Sequence, residues 1–167
     1  SVNEIVKATF EMAKVKTGAL MVIERSTPLN EIERTGIEID GLISSQLLIN
    51  IFEHNTPLHD GAVVLSGNKV IAATCYLPLS DNMDISKDLG TRHRAAVGIS
   101  EVSDSLTVVV SEETGRVSVA ENGSLSHIKD SDELKKVLSR LTEQKETGGK
   151  RFKIWKGRIR NERKVAK

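Results

Sequence analysis

The stretch AVVLSGNKVIAATC, residues 62–75, decides the fold class of this chain. Its apolar runs predict two β-strands, at 62–65 and 69–76, and the Gly-Asn pair between them is typical of a tight hairpin turn. A second hairpin is predicted within 106–119, where a glycine-containing turn joins two more apolar runs. Because hairpins interrupt the alternation of helices and strands, we predict an α/β fold with a mixed parallel and antiparallel central sheet flanked by helices.

Outside these hairpins, apolar residues recur with the spacing of amphipathic helices. Hydroxyl residues at the helix starts are the predicted caps: Ser44 or Ser45, Thr91 and Ser131. The predicted helices are 2–14, 44–54, 91–100 and 131–146, and further strands are predicted at 19–24 and 37–40. A chain of 167 residues with this pattern is expected to form one domain, with a tail at its C-terminal end.

Charge is distributed unevenly along the chain. Residues 150–167 contain nine Lys/Arg and one Glu, whereas residues 1–149 contain 15 basic and 22 acidic residues. We therefore predict a catalytic or binding domain at 1–150 and a basic C-terminal segment at 151–167, docked in part through its apolar residues and mobile at its end. Such a segment suits nucleic acid, anionic lipid or an acidic partner, and a solvated terminus is the plain alternative.

The composition also limits redox and membrane chemistry. Cys75 is the single cysteine, so no internal disulfide forms, and its apolar neighbours indicate a buried side chain rather than a reactive thiol. No apolar stretch approaches the ~20 residues of a membrane span.

The tract Gly90-Thr91-Arg92-His93-Arg94 lies at a predicted helix start, where free backbone N–H groups attract anions. The threonine adds a hydroxyl donor, and the arginines add planar guanidinium groups suited to phosphate oxygens. Consecutive helical residues point about 100° apart, so the three basic side chains cannot all bind one small anion. A triphosphate could contact several of them, and a solvated helix start is the alternative.

Two further tracts carry carboxylates at predicted strand ends. In His59-Asp60-Gly61-Ala62, the aspartate could orient or deprotonate a sugar hydroxyl, or bind Mg²⁺ or Mn²⁺. The glutamates of 111–115 could complete a site for a hard metal ion. Ordinary surface turns are the plain alternative for both tracts, because Asp-Gly is a common turn dipeptide.

Taken in order, these tracts resemble the paired signatures of diadenylate cyclase domains. The resemblance rests on Asp60-Gly61-Ala62 and Arg92-His93-Arg94, with Gly18-Ala19-Leu20, Gly90-Thr91 and 111–115 in support, and it covers residues 5–130. It is closest to the type anchored by membrane helices before the domain. It implies condensation of two ATP molecules into cyclic di-AMP and two pyrophosphates, with Mg²⁺ or Mn²⁺ as cofactor.

The resemblance also assigns roles to residues. Asp60 would activate the ribose 3′-hydroxyl, directly or through the metal, while Gly61 and Ala62 shape the ribose pocket. The implied phosphate contacts are Thr91, Arg92, His93, Arg94 and Ser111. The implied metal ligands are Asp60, Glu113 and His59. The implied adenine and ribose contacts are Gly18, Leu20 and Tyr76, with a core position as the equal alternative for the tyrosine.

The implied reaction has consequences for partners. Each 3′-hydroxyl attacks the α-phosphate of the other nucleotide, so two identical sites must face each other in a homodimer. The resemblance implies a cytoplasmic domain held at the membrane by a segment absent from this sequence, with no nucleic-acid partner. Two other classes remain open: a nucleotide sensor without turnover, and a nucleic-acid-binding protein that uses the basic segment.

Overall fold

The computed structural model describes residues 1–141, which form a seven-stranded sheet with helices on both faces. The strand order is β2-β4-β3-β1-β5-β6-β7. The strands are β1 (Ala19–Ile23), β2 (Ile37–Leu42), β3 (Ala62–Ser66), β4 (Lys69–Cys75), β5 (Leu106–Val110), β6 (Val117–Glu121) and β7 (Ser124–Ile128). The helices are α1 (Val2–Lys14), α2 (Asn30–Glu33), α3 (Ser45–Phe52), α4 (Thr91–Val102) and α5, which begins at 131 and is described to 141.

The sheet is mixed, as the hairpin pattern predicts. Strands β1 and β3 pair in parallel, and the other neighbouring strands pair antiparallel. Both predicted hairpins form, β3–β4 and β5–β6. A third hairpin joins β6 to β7 through Asn122 and Gly123, whose φ values of 52° and 78° suit a tight turn.

One face of the sheet is closed by α1, α3 and α5. Alternate strand residues such as Met21 point to this face, as the two-residue period of a strand requires. They pack with Met12, Leu48 and Leu134, each no more than 1% exposed. This face therefore holds a continuous apolar core.

The opposite face carries α4. Leu20, Val64 and Val109 point to it and pack against small helix residues. Gly98 is one of these, and an added Cβ there would overlap the carbonyl oxygen of Pro78. The absence of a side chain thus lets the segment after β4 cross directly over the helix.

Several local expectations need correction. Thr91 is not the cap of α4, because Gly90 holds that position and Thr91 is the first helical residue. Ser131 is not the cap of α5, since the carboxylate of Asp130 accepts the backbone N–H of Glu133 at 2.9 Å. Ser44, one of the two residues considered for α3, is confirmed: its hydroxyl accepts the N–H of Leu47 at 3.1 Å.

Other differences concern unpredicted or undescribed parts of the chain. The short helix α2 and the strand β7 were not expected from the sequence. The predicted end of the last helix and the basic segment 151–167 lie outside the described residues. Within 1–141, no helix is both long enough and apolar enough to cross a membrane.

Candidate functional site

A cavity of about 1300 Å³ opens on the α4 side of the sheet. It lies where β1 and β3 begin and where β4 and β5 end. The start of α4 and the segment after β4 complete its walls. Residues that are far apart in the sequence therefore meet at one edge of the sheet.

The turn before β3 brings Asp60 to the cavity. Gly61 has φ +86°, and an added Cβ would lie 2.9 Å from the carbonyl oxygen of Cys75. A glycine is required by both the backbone conformation and this close approach. The backbone N–H of Gly61 donates to the Asp60 carboxylate at 3.1 Å, and the rest of that exposed carboxylate remains available to a ligand.

His59 is oriented by the chain just before it. Its Nδ1 lies 2.7 Å from the carbonyl oxygen of Thr56, so Nδ1 carries the proton and donates it. The ring also packs edge-on against His54, with centroids 5.6 Å apart. This contact directs Nε2, the second ring nitrogen, away from the Thr56 carbonyl, as in histidine ligands whose other ring nitrogen donates to a carbonyl.

The start of α4 supplies donors to the same cavity. Thr91, Arg92 and His93 line it. Since Gly90 provides no capping side chain, the N–H groups of the first helical turn have no side-chain partner. Together with the partial positive charge of a helix N-terminus, these groups form an anion-binding position.

His93 is only 5% exposed. Burial lowers the pKa of its imidazole, and the nearby His127 and Arg92 lower the pKa further. The ring is therefore neutral near pH 7. It can take part in hydrogen bonds with a ligand, but it adds no positive charge to the cavity.

Ser111, at the end of β5, is held in a defined orientation. Its hydroxyl oxygen accepts the backbone N–H groups of Glu113 and Thr114, at 3.2 and 3.3 Å. A serine hydroxyl that accepts twice still has its own proton to donate. Ser111 and Glu113 both line the cavity, so this donor is available to a bound anion.

Most of the predicted site residues meet in this cavity, but three do not line it. Ala62 is fully buried in the core under α4. Arg94 belongs to the first turns of α4 but is not among the lining residues. Gly18 does not line the cavity but lies against the guanidinium of Arg92, which does. Leu20 lines the cavity, and Tyr76 does so while 74% exposed, which makes the core interpretation of this tyrosine wrong.

Part of the lining does not follow from the sequence motifs. Thr74, Cys75 and Leu77 enter because β4 ends beside Gly61. Lys87, Asp88, Leu89 and Glu112 also line the cavity. Glu112 is the exception, because it is one of the glutamates that the tract 111–115 offers to a metal ion. Lys87, Asp88 and Leu89 depend on the path of a loop that has no periodic pattern.

The lining of the cavity contains more negatively than positively charged side chains. Its residues include the four carboxylates of Asp60, Asp88, Glu112 and Glu113, but only the two cations of Lys87 and Arg92. Within residues 1–141, no three His, Cys, Asp or Glu side chains already form a metal cage. A polyphosphate entering this cavity would thus bring both extra negative charge and oxygen atoms that could complete a cation site.

Comparison with known proteins assigns this arrangement to a family. The DAC family model, described as "DisA bacterial checkpoint controller nucleotide-binding", matches residues 6–125. This chain belongs to that family. The cavity residues from Leu20 to Glu113 all fall within the matched range, which confirms the resemblance carried by the sequence motifs.

Individual relatives agree with the family. The cyclic di-AMP synthase CdaA of Bacillus subtilis (strain 168) is 52% identical over 160 residues, which are 95% of this chain and 58% of that protein. A diadenylate cyclase of Listeria monocytogenes is 51% identical over 159 residues, again 58% of that protein. The chain therefore spans somewhat more than half the length of these curated relatives.

Solved structures confirm the α/β fold with its mixed sheet. The crystal structure of a double mutant of DacA from Staphylococcus aureus superimposes with a TM-score of 0.82 at 51% identity, covering 83% of this chain and 93% of that one. A structure described as a hypothetical membrane spanning protein from Bacillus cereus gives a TM-score of 0.74 at 44% identity, covering 76% and 62%.

Proposed function

We propose that this domain is a diadenylate cyclase, which joins two ATP molecules into cyclic di-AMP and releases two pyrophosphates. The observation that carries the proposal is the single cavity in which Asp60, the start of α4 and Ser111 meet. A carboxylate and phosphate-binding donors in one cavity are the groups that this reaction needs. The printed names of the relatives from Bacillus and Listeria support the same activity.

The chemistry balances without any redox step. Each ribose 3′-oxygen forms a bond to the α-phosphorus of the other nucleotide, and each α-phosphorus loses its bond to the departing pyrophosphate oxygen. The proton of each 3′-hydroxyl must go to a base. The exposed carboxylate of Asp60 is the proposed base or orienting group for that hydroxyl.

Phosphate binding is assigned to the start of α4 and to the end of β5. Backbone N–H groups of the first turn of α4, the Thr91 hydroxyl and the Arg92 guanidinium can each contact a phosphate oxygen. Ser111 donates its hydroxyl proton, and neutral His93 contributes a hydrogen bond. Positioning and charge compensation would supply most of the catalysis. Direct contacts by Arg94 and by Ala62 stay predictions.

The base and sugar would lie near β1. Leu20 lines the cavity at the start of that strand, and its backbone is the proposed contact with adenine. Exposed Tyr76 lies on the cavity wall, where its ring is free to stack on adenine.

The cavity fits a divalent cation together with its substrate. Asp60, Glu113 and Nε2 of His59 are the proposed protein ligands of Mg²⁺ or Mn²⁺. Such an ion keeps only one or two carboxylates and takes its remaining oxygens from phosphate and water. When bound, it would compensate the charge of the triphosphate, which the acidic lining alone does not.

The reaction also implies partners. One cavity holds one ATP, so we expect a two-fold homodimer in which two cavities face each other. We propose that residues 1–150 form the catalytic unit, with 151–167 as a separate basic segment. We also propose that a membrane segment outside this sequence holds the domain on the cytoplasmic side. The name of the Bacillus cereus structure supports such an anchor.

Product analysis tests the proposal directly. The purified chain is incubated with ATP and either Mg²⁺ or Mn²⁺, and products are identified by chromatography and mass. Cyclic di-AMP and two pyrophosphates per product molecule are expected. Asp60→Asn should lose the activity, whereas Asp132→Asn, a matched exposed carboxylate on α5, should retain it. Tight ATP binding without any product from enforced dimers would instead indicate a nucleotide sensor.

A further inference from the structure

Arg92 already has an anionic partner in the cavity. Its Nη1 lies 3.4 Å from Oε1 of Glu112, a glutamate of the tract 111–115 to which the proposed reaction assigns no role. The two side chains differ in freedom: that of Arg92 is 24% exposed and that of Glu112 is 57% exposed. The guanidinium is thus the fixed member of the pair, and the carboxylate is the member that can swing away.

Gly18 explains why the guanidinium stays in place. A Cβ built on Gly18 would lie 2.7 Å from both Cζ and Nη1 of Arg92 and 3.0 Å from Nη2. The guanidinium therefore rests against the bare backbone before β1. A side chain at position 18 would displace the guanidinium, so Gly18 is required for its observed position.

We propose that Glu112 is a displaceable counter-ion, which holds Arg92 while the cavity is empty and gives it up to a phosphate group of the nucleotide. The proposal rests on the proposed function and deepens it. Glu112 and a phosphate compete for the same guanidinium, and the carboxylate also repels a polyphosphate in a lining that is already acidic. Glu112 would thus weaken the binding of ATP and of pyrophosphate.

Weaker binding of pyrophosphate would help turnover, because this product must leave before the next ATP binds. Pyrophosphate leaves a cavity that was built to bind phosphates, and its release returns Arg92 to Glu112. A carboxylate ready to recapture the guanidinium makes release more favourable. Glu112 is therefore a positioning residue, which acts on phosphate through Arg92.

The test compares two similar ion pairs. Arg25 and Glu121 form a second Arg–Glu pair, with Nη1 and Oε1 3.6 Å apart and with side chains 25% and 36% exposed, outside the large cavity. Glu121→Gln is thus the matched control for Glu112→Gln. Binding of pyrophosphate and of ATP to each variant is measured by calorimetry with Mg²⁺ present.

Glu112→Gln should tighten pyrophosphate binding about two- to five-fold, the range expected when one partly exposed ion pair no longer competes. The gain should shrink at high salt, because exposed charges are screened. Pyrophosphate should inhibit product formation at correspondingly lower concentrations, and the KM for ATP should fall. Glu121→Gln should change none of these quantities.

A double-mutant cycle assigns the effect to Arg92. In an Arg92→Gln background, Glu112→Gln should lose most of its effect on pyrophosphate binding. Weaker or unchanged binding in Glu112→Gln, an equal effect of Glu121→Gln, or a full effect without Arg92 would each overturn the proposal. The binding arms need no turnover, so they give a result even if the domain does not make cyclic di-AMP.

Discussion

The two faces of the sheet are built on different principles. The face under α1, α3 and α5 is filled by large apolar side chains, and Leu48, Phe52 and Leu134 are almost fully buried there. The face under α4 uses small helix residues, among them Ala96 and Gly98, and leaves a wide polar cavity beside them. The first face is complete within the described chain, whereas the second leaves room for a ligand.

This difference separates stability from chemistry. Close packing of large side chains stabilises the closed face, where any loss of volume is felt. On the cavity face, glycines at 18, 61 and 98 lie where a side chain would meet a guanidinium or backbone atoms. We therefore expect substitutions on the closed face to alter only the free energy of unfolding, and substitutions around the cavity to alter binding and turnover as well.

The largest effect on stability is expected from Leu48→Ala. Leu48 is fully buried between the sheet and α1, so its truncation leaves a cavity and should cost about 2–5 kcal/mol of unfolding free energy. Urea denaturation measures this loss. The KM for ATP should be unchanged in the fraction that remains folded, and a large change in KM would contradict the division between the two faces.

A smaller effect on stability is expected from Gly98→Ala. The added methyl group would overlap the Pro78 carbonyl, so the segment forming the cavity wall must move, at a cost of about 1–3 kcal/mol. ATP binding should weaken at the same time. Gly41→Ala is the control, because its methyl group would make only ordinary contacts, the nearest being 3.4 Å from Leu47. Unaltered ATP binding in Gly98→Ala would show that the wall is not set by this contact.

A modest dependence of stability on pH is expected from the protonation of His93. Burial lowers the pKa of its imidazole in the folded state below the ordinary value of 6.5, so the unfolded chain binds more protons in that window. Stability should therefore fall as the pH drops below 6.5 towards the lowered pKa. His93→Gln should remove this part of the slope in urea titrations between about pH 5 and pH 7.5. An identical slope in both proteins would contradict the assignment.

The smallest effect is the one that alkylating reagents should have on Cys75. Burial raises the pKa of its thiol to about 11, and the negative charge of Glu33 adds to this rise. Although Cys75 lines the cavity, alkylation near pH 8 should be at least about a hundred-fold slower than at an exposed thiol. Ser126→Cys on β7 supplies that exposed thiol within the same chain. Equal labelling of both cysteines, counted by peptide mass, would show that the cavity opens more widely than the structure indicates.

The parts that follow from the sequence are those with a local cause. Continuous apolar runs predicted β1, β3 and β5, and helical spacing predicted α1 and α3. The strand β7 was missed because, of its five residues, only Ile128 is buried, which leaves no alternating pattern. The four-residue helix α2 has no buried residue and therefore no apolar period.

The site divides in the same way. Short motifs predicted that Asp60, Arg92 and Ser111 would act together, and the structure places them in one cavity. The close approach of Pro78 to Gly98 and that of Arg92 to Gly18 are contacts between distant parts of the chain. Neither contact leaves a periodic or compositional trace, so one sequence could not predict them.

One measurement tests most directly whether this open face is half of a two-fold active site. Wild-type chains are mixed with a nine-fold excess of Asp60→Asn chains, allowed to exchange, and supplied with ATP and the divalent cation that supports turnover. Because most wild-type chains are then paired with a variant, cyclic di-AMP formed per wild-type chain should fall about ten-fold, and a linear dinucleotide with one new phosphodiester bond should accumulate. An unchanged yield of cyclic di-AMP per wild-type chain, with no linear product, would contradict the account.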